Sequence, residues 1–244
     1  MILKSEAIVL KTFDLRETSR IAVFFTKNHG KLKGVLKGIR KDHKKFGSTI
    51  DRFTVNDIVY YYHANSDLHL VGQCDLTSFF FPIRQDIKRT MAANYVLELV
   101  NIIMPPEEAN TDVYDLMINY LTSLQKEADI DKLVHIFQVK ILLLSGFKPH
   151  IDSCILCENQ IHDKARFSLR LGGLICPHCK TNDLSASLIS KGAIASILHI
   201  EKNDWIKCLR LGFSKPIKKE LKYILNNFLV FHLERPIKTA RYLN

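Results

Sequence analysis

The chain has 244 residues, 47% of them hydrophobic and 25% charged, with a formal net charge of +10. That length admits two domains, or one domain with appendages, and no apolar run is long enough to cross a bilayer. The charge is uneven: residues 1–50 carry 12 Lys/Arg against 4 Asp/Glu and residues 184–244 carry 11 against 4, while residues 51–150 lean acidic and residues 151–183 balance. Two basic ends around a mildly acidic middle point to a polyanion partner for the ends and a different partner for the middle.

The first 80 residues read as β structure. Ile8-Val9-Leu10 is a short apolar run, and Ile21-Ala22-Val23-Phe24-Phe25-Thr26 is β-branched and aromatic, as suits a buried strand. Asn28-His29-Gly30 is a turn signal. From Lys31 to Ile39 the parity of Leu32, Gly34, Leu36 and Gly38 suggests a strand with the bends a small barrel requires. Residues 53–63 and 68–76 supply further strands. Five short strands without a long helical stretch fit a closed barrel of the OB type.

The period changes near Pro82. Residues 83–104 repeat apolar side chains at helical spacing until Pro105-Pro106, and a second helix opens with Thr111 as its cap. A third, Asp131 to Ser145, is apolar enough to be buried on most sides, and Gly146-Phe147-Lys148-Pro149 ends it. Residues 187–200 and 215–233 read as two more helices, the latter with Pro216 in its first turn. The expected class is α+β: an OB-type barrel over residues 1–82, then a helical domain over 83–244 with a four-cysteine zinc finger at 150–182.

That finger rests on Cys154-Ile155-Leu156-Cys157 and Cys176-Pro177-His178-Cys179, two CxxC knuckles 18 residues apart. The spacing suits a tetrahedral zinc site, and four protein thiolates leave no open position for catalysis, so the ion would be structural. It would fix where the helices of 184–244 meet those of 84–145. Two disulfides are the rival in an oxidising compartment. Met1-Ile2-Leu3-Lys4 leads straight into a charged, strand-like pattern without a secretion signal, which favours a cytoplasmic protein and metal over disulfides. His162 and His178 lie near the site and are expected to face solvent. Cys74 and Cys208 stand alone and are expected in the core.

No phosphate-binding loop, HExxH or deaminase motif occurs, so an enzyme is not expected. The positive signal is the basic stretch Lys31, Lys33, Lys37, Arg40, Lys41, Lys44 and Lys45. Lys31, Lys33 and Lys37 share a strand parity and can line one surface, and the later cations can follow a phosphate backbone from a loop. A merely solvated face is the plainer reading. Phe46, Phe53 and the run Tyr60-Tyr61-Tyr62 offer stacking rings or core, and Lys215, Lys218, Lys219 and Lys222 offer either a second contact or the wet side of a helix.

The order of several segments resembles the RecO family of bacterial recombination mediators over nearly the whole length. They are Glu17-Thr18-Ser19-Arg20-Ile21, Phe25 to Leu32, Leu36-Lys37-Gly38-Ile39-Arg40, Ala93 to Leu99, Gly146-Phe147-Lys148-Pro149, Cys154 to Cys157 and Gly172 to Cys176. The resemblance implies an OB domain, a helical domain and an embedded zinc finger. It implies binding of single- and double-stranded DNA, annealing of complementary strands, and help in loading RecA onto strands coated by single-strand binding protein, together with RecR. It also implies contact with the tail of that binding protein and nucleoid association. By position, Lys37 and Arg40 become the leading DNA contacts, with Lys31, Lys33, Lys41, Lys44 and Lys45 beside them. A zinc-ribbon protein acting on RNA or ribosomes is the rival class, and a nuclease a weaker third.

Overall fold

Alternating apolar residues in the first 80 positions become a closed barrel of five strands. They are β1 (Ile2–Leu15), β2 (Ser19–Thr26), β3 (Gly30–Leu36), β4 (Val55–Tyr61) and β5 (Leu68–Ser78), in the order β1-β2-β3-β5-β4. Every neighbouring pair is antiparallel except β3 with β5. This is the OB arrangement, and it was obtained in a computed structural model that describes residues 1–41, 46, 50–161, 164–179, 183 and 185–243. Ala7, Val9, Ala22, Phe24, Leu32, Leu36, Ile58, Tyr60, Val71 and Cys74 fill the interior. Phe46 and Phe53 are buried, so these two rings serve the core.

β1 is much longer than the run Ile8-Val9-Leu10 suggests, because a bulge interrupts its alternation. Val9 pairs with Phe24 and Lys11 with Val23, which leaves Leu10 extra. An extra residue reverses which parity faces inward. Ala7 and Val9 therefore point into the barrel, while Lys11 and Phe13 are exposed.

The helical pattern after Pro82 splits in two: α1 (Phe81–Arg84) and α2 (Ile87–Ile103), separated where Asp86 accepts hydrogen bonds from the N–H groups of Lys88 and Arg89. α3 (Thr111–Leu124) follows, capped by Asn110 rather than Thr111, since the Asn110 side chain accepts from Val113 N–H at 3.0 Å. Outward-facing Ile8 and Phe25 of the barrel are buried too, and Phe25 meets the Tyr114 ring of α3 at 6.2 Å. The loop after α2 docks on β3: Glu107 N–H donates to Lys31 C=O, and its carboxylate is 3.2 Å from His69 Nε2 and accepts from Tyr62 Oη. Burial and then the Glu107 charge push the Tyr60 phenol up to about 12.

Two compact units emerge, residues 1–126 with the last residues from 241, and residues 127–240. The second is built on α4 (Ile130–Leu144), buried along most of its length as its composition requires. Its end forms a Schellman motif, with Gly146 at φ +80° and Phe147 N–H donating to Leu142 C=O at 2.9 Å. Around α4 lie α5 (Lys191–Lys202), α6 (Trp205–Leu209) and α7 (Lys215–Leu233). Lys132 and Lys140 of α4 reach the C-terminal carbonyls of Leu209 and Asn203, where helix ends favour cations. The start of the sequence-read helix at 187 is instead a strand: Ser187–Ile189 pairs with Ala165–Ser168, and the helix begins only after Ser190, whose side chain accepts from Ala193 N–H.

Candidate nucleic-acid interface and metal centre

On the barrel's outer surface, neighbouring strands set Lys11 beside Val23, Val23 beside Lys33, and Lys33 beside Leu68. The adjacent row runs Phe13, Ile21, Val35, Leu70. Lys37 continues past the end of β3 and is exposed. Lys11 Nζ stands 4.5 Å from the Phe13 ring centroid, and Phe13 is 45% exposed. Lys33 is exposed and has no ion-pair partner among the described residues. The result is one sheet face that combines an accessible ring with Lys11, Lys33 and Lys37. Lys11 and Phe13 lie outside the basic stretch, and the bulge at Leu10 that turns them outward has no signal in the sequence.

The other candidate cations have different surroundings. Lys31 is half-buried and donates to Asn101 C=O of α2 at 2.6 Å. Arg40 donates to Arg16 C=O and lies 3.8 Å from Asp14, which also pairs with Arg20. Lys41 is an exposed turn residue. Lys44 and Lys45 lie outside the described residues. Of the tyrosines, Tyr60 is core, Tyr61 is 43% exposed and Tyr62 is held by Glu107. Lys218 of α7 pairs with Asp129 at 2.6 Å, while Lys215 and Lys219 are exposed.

The second unit holds the cysteines on a four-stranded ribbon: β6 (His150–Cys154), β7 (Ala165–Ser168), β8 (Gly173–Ile175) and β9 (Ser187–Ile189), in the order β6-β8-β7-β9. The Sγ atoms of Cys154, Cys157, Cys176 and Cys179 all lie within 4.8 Å of one another. Cys154 to Cys179 and Cys157 to Cys176 are 3.8 Å apart, well beyond a disulfide bond. Burial pushes the Cys154 thiol up, but N–H groups of Cys176, Leu156 and Cys157 outweigh it and bring it down to about 6. Hydrogen bonds with Cys157 and Cys176 push Cys179 up to about 12. Four sulfurs this close cannot all ionise without a cation between them, so the cluster can hold a metal ion. His178 is exposed, and His162 is outside the described residues. Cys74 and Cys208 are buried, apart from the cluster.

The family model described as Recombination protein O N terminal matches residues 1–80, and that described as Recombination protein O C terminal matches residues 84–241. The chain belongs to the RecO family. Similar relatives, each named DNA repair protein RecO, come from Thermoanaerobacter sp. (strain X514), Desulfatibacillum aliphaticivorans and Moorella thermoacetica. The first is 30% identical over 100% of this chain and 97% of that protein. The second is 29% identical, with 98% and 95% covered, and the third 27%, with 100% and 91% covered. RecO membership makes this a DNA repair mediator rather than an enzyme. Among the described residues no helix is long and apolar enough to cross a membrane.

Proposed function

We propose that this RecO-family chain binds single-stranded DNA on the outer face of its barrel and anneals complementary strands. In this reading it also binds duplex DNA and helps load RecA onto strands coated by single-strand binding protein, acting with RecR and the tail of that binding protein. Its place is the cytoplasm, at the nucleoid. Residues 1–82 are the DNA-binding module, and residues 83–244 the helical domain with its zinc finger at 150–182. The observation that carries the reading is the face bearing Lys11, Lys33 and Lys37 around the accessible Phe13 ring. Cations displace the counterions of a phosphate backbone, and an aromatic ring takes any base. Two polyanions brought to one basic protein repel each other less, which is the electrostatic basis of annealing. Arg40 and Lys41 extend the positive track beyond β3, Lys31 anchors its near end to α2, and Lys44 and Lys45 are proposed as further contacts on the sequence alone.

Zinc is the proposed ion. A tetrahedron with metal–sulfur bonds of about 2.3 Å has edges of about 3.8 Å, and two sulfur pairs of the cluster stand at 3.8 Å. With all four positions taken by thiolates, the ion orders the ribbon and offers no site for water activation.

The test is the double variant Lys33→Glu/Lys37→Glu. Fluorescence anisotropy with a labelled oligothymidine should show affinity falling at least tenfold at low salt, with the thermal melt unchanged. The slope of log affinity against log salt should shrink by about 0.7 for each phosphate the variant no longer neutralises. Unaltered affinity and slope would remove the barrel face from the mechanism. If the wild type anneals strands no faster than they anneal without protein, the annealing role is removed.

A further inference from the structure

A second aromatic and cationic feature lies away from the strip of Lys11, Lys33 and Lys37. The Arg84 guanidinium stands 4.3 Å from the ring centre of Phe53 and 4.0 Å from that of Phe79. The Phe81 ring lies 6.4 Å from the Phe79 ring, with the planes 25° apart. The ladder begins in the core, since Phe53 is buried, and ends in solvent, since Phe81 is 58% exposed.

Its rungs are fixed. Arg84 Nε donates to Phe79 C=O at 3.2 Å, and an Arg84 terminal nitrogen donates to Arg52 C=O at 2.9 Å. Phe80, between the two outer rings, takes φ +50° and ψ +50° while its own side chain is buried. A bulky residue in the left-handed region is unusual and persists where its surroundings hold it there. Here it puts one ring into the interior and leaves the next presented to solvent. The flanking charge favours an anion. Arg52 and Lys88 are exposed, and the acidic residues beside them in sequence are Asp51, whose charge acts on Arg84, and Asp86. Asp86 is occupied by the start of α2 and by Arg89.

We propose that Phe81, backed by Phe79 and Arg84 and flanked by Arg52 and Lys88, is a base-stacking platform for a second nucleic-acid strand. The inference rests on the annealing reading and deepens it, because annealing needs two strands on the protein at once. A flat ring backed by a guanidinium accepts any base without sequence preference, and it leaves the base's pairing edge free. Other exposed apolar residues of the same unit, Leu76 and Ile87 among them, would equally suit a protein partner, and the experiment separates the two.

The full-length chain is mixed with an oligothymidine carrying 5-iodouracil, irradiated, and the adduct mapped by mass spectrometry. The expected adducts fall within residues 79–84 as well as on the barrel face. Phe81→Ala should slow annealing of complementary oligonucleotides about fivefold or more, the scale of one missing base stack. It should also lose part of the preference for an ordinary over an abasic oligonucleotide of equal length. Phe81→Tyr, which keeps the ring, should retain both properties. No adduct in 79–84 together with an unchanged base preference in Phe81→Ala overturns the platform, and is the result expected if the ring docks a protein instead. Cross-linking uses the wild type, so it decides the matter even if the alanine variant fails to fold. A platform that fails while the wild type still binds and anneals DNA leaves the proposed function standing. A wild type that binds no DNA removes both.

Discussion

At the scale of single residues, backbone geometry selects side chains that composition does not. Gly30 shows this most plainly. It opens β3 at φ +69°, and a Cβ built there would lie 2.2 Å from the Glu108 carbonyl oxygen. Both the conformation and the space exclude any larger residue. Gly30→Ala should therefore destabilise the first unit by roughly 2–4 kcal/mol, as left-handed strain and a backbone clash add. Urea unfolding followed by the amides of β2 and β3 measures it, and a change below about 0.5 kcal/mol, the ordinary effect of a surface substitution, would deny the close approach of the 105–108 loop. The sequence marks Gly30 as a turn glycine, but the Glu108 contact is invisible there because it joins residues far apart in the chain. Lys11 and Phe13 were hidden for a related reason. A strict alternation carried on from Ala7 and Val9 would turn both inward, and only the extra Leu10 turns them out.

At the scale of elements, long periodic segments were legible and short ones were not. The strands at 21–26 and 68–76 and the helices ending at Pro105 and Gly146 follow from pattern and cap chemistry. The ribbon strands β6 to β9 span three to five residues each, too few for a period to register. The cysteine spacing announced the metal cluster without announcing its sheet. Caps and ion pairs then hold these elements together. Asp129 caps α4 by accepting from Lys132 N–H at 3.1 Å and pairs with Lys218 of α7 at 2.6 Å. Burial pushes this carboxyl up, but Lys218 and the Lys132 N–H outweigh it, so its folded pKa lies below the ordinary 3.8. A depressed folded value means the contribution is present above pH 3.8 and is lost as pH falls through the folded pKa. Asp129→Asn keeps a cap acceptor and removes the charge. At neutral pH it should cost less than about 1 kcal/mol, since the pair is partly solvated. It should also flatten the acid limb below about pH 4, a range set by the ordinary carboxyl value. Amide exchange of α4 between about pH 3 and pH 7, a span that brackets that value, reads both effects. An unchanged acid limb would show that the Lys218 pair carries no stability.

At the scale of the whole molecule, the proposed DNA contacts and the cysteine cluster that can hold a metal lie in different compact units. The cationic face and the Phe81 ladder belong to residues 1–126, and the four cysteines to residues 127–240. Metal removal should therefore act selectively. The ribbon's strands are short, and its buried side chains, among them Ile151, Phe167, Leu174 and Ile175, are few. Sheets this small need a staple, and for a thiolate cluster the binding free energy of the ion is folding free energy. Phe167 also meets the Phe228 ring of α7 edge-on at 5.6 Å, which ties the ribbon to the neighbouring helix. Chelation should strip amide protection from β6 to β9 first, then loosen α7 along the Phe167–Phe228 seam. The barrel amides should keep their protection, and affinity for oligothymidine should change less than about twofold, because none of the proposed phosphate contacts lies in the metal-bearing unit. Hydrogen exchange before and after chelation, with anisotropy on the same samples, measures both. Loss of barrel protection on chelation, or a collapse of DNA affinity with the barrel intact, would show that the ion does more than order its own ribbon.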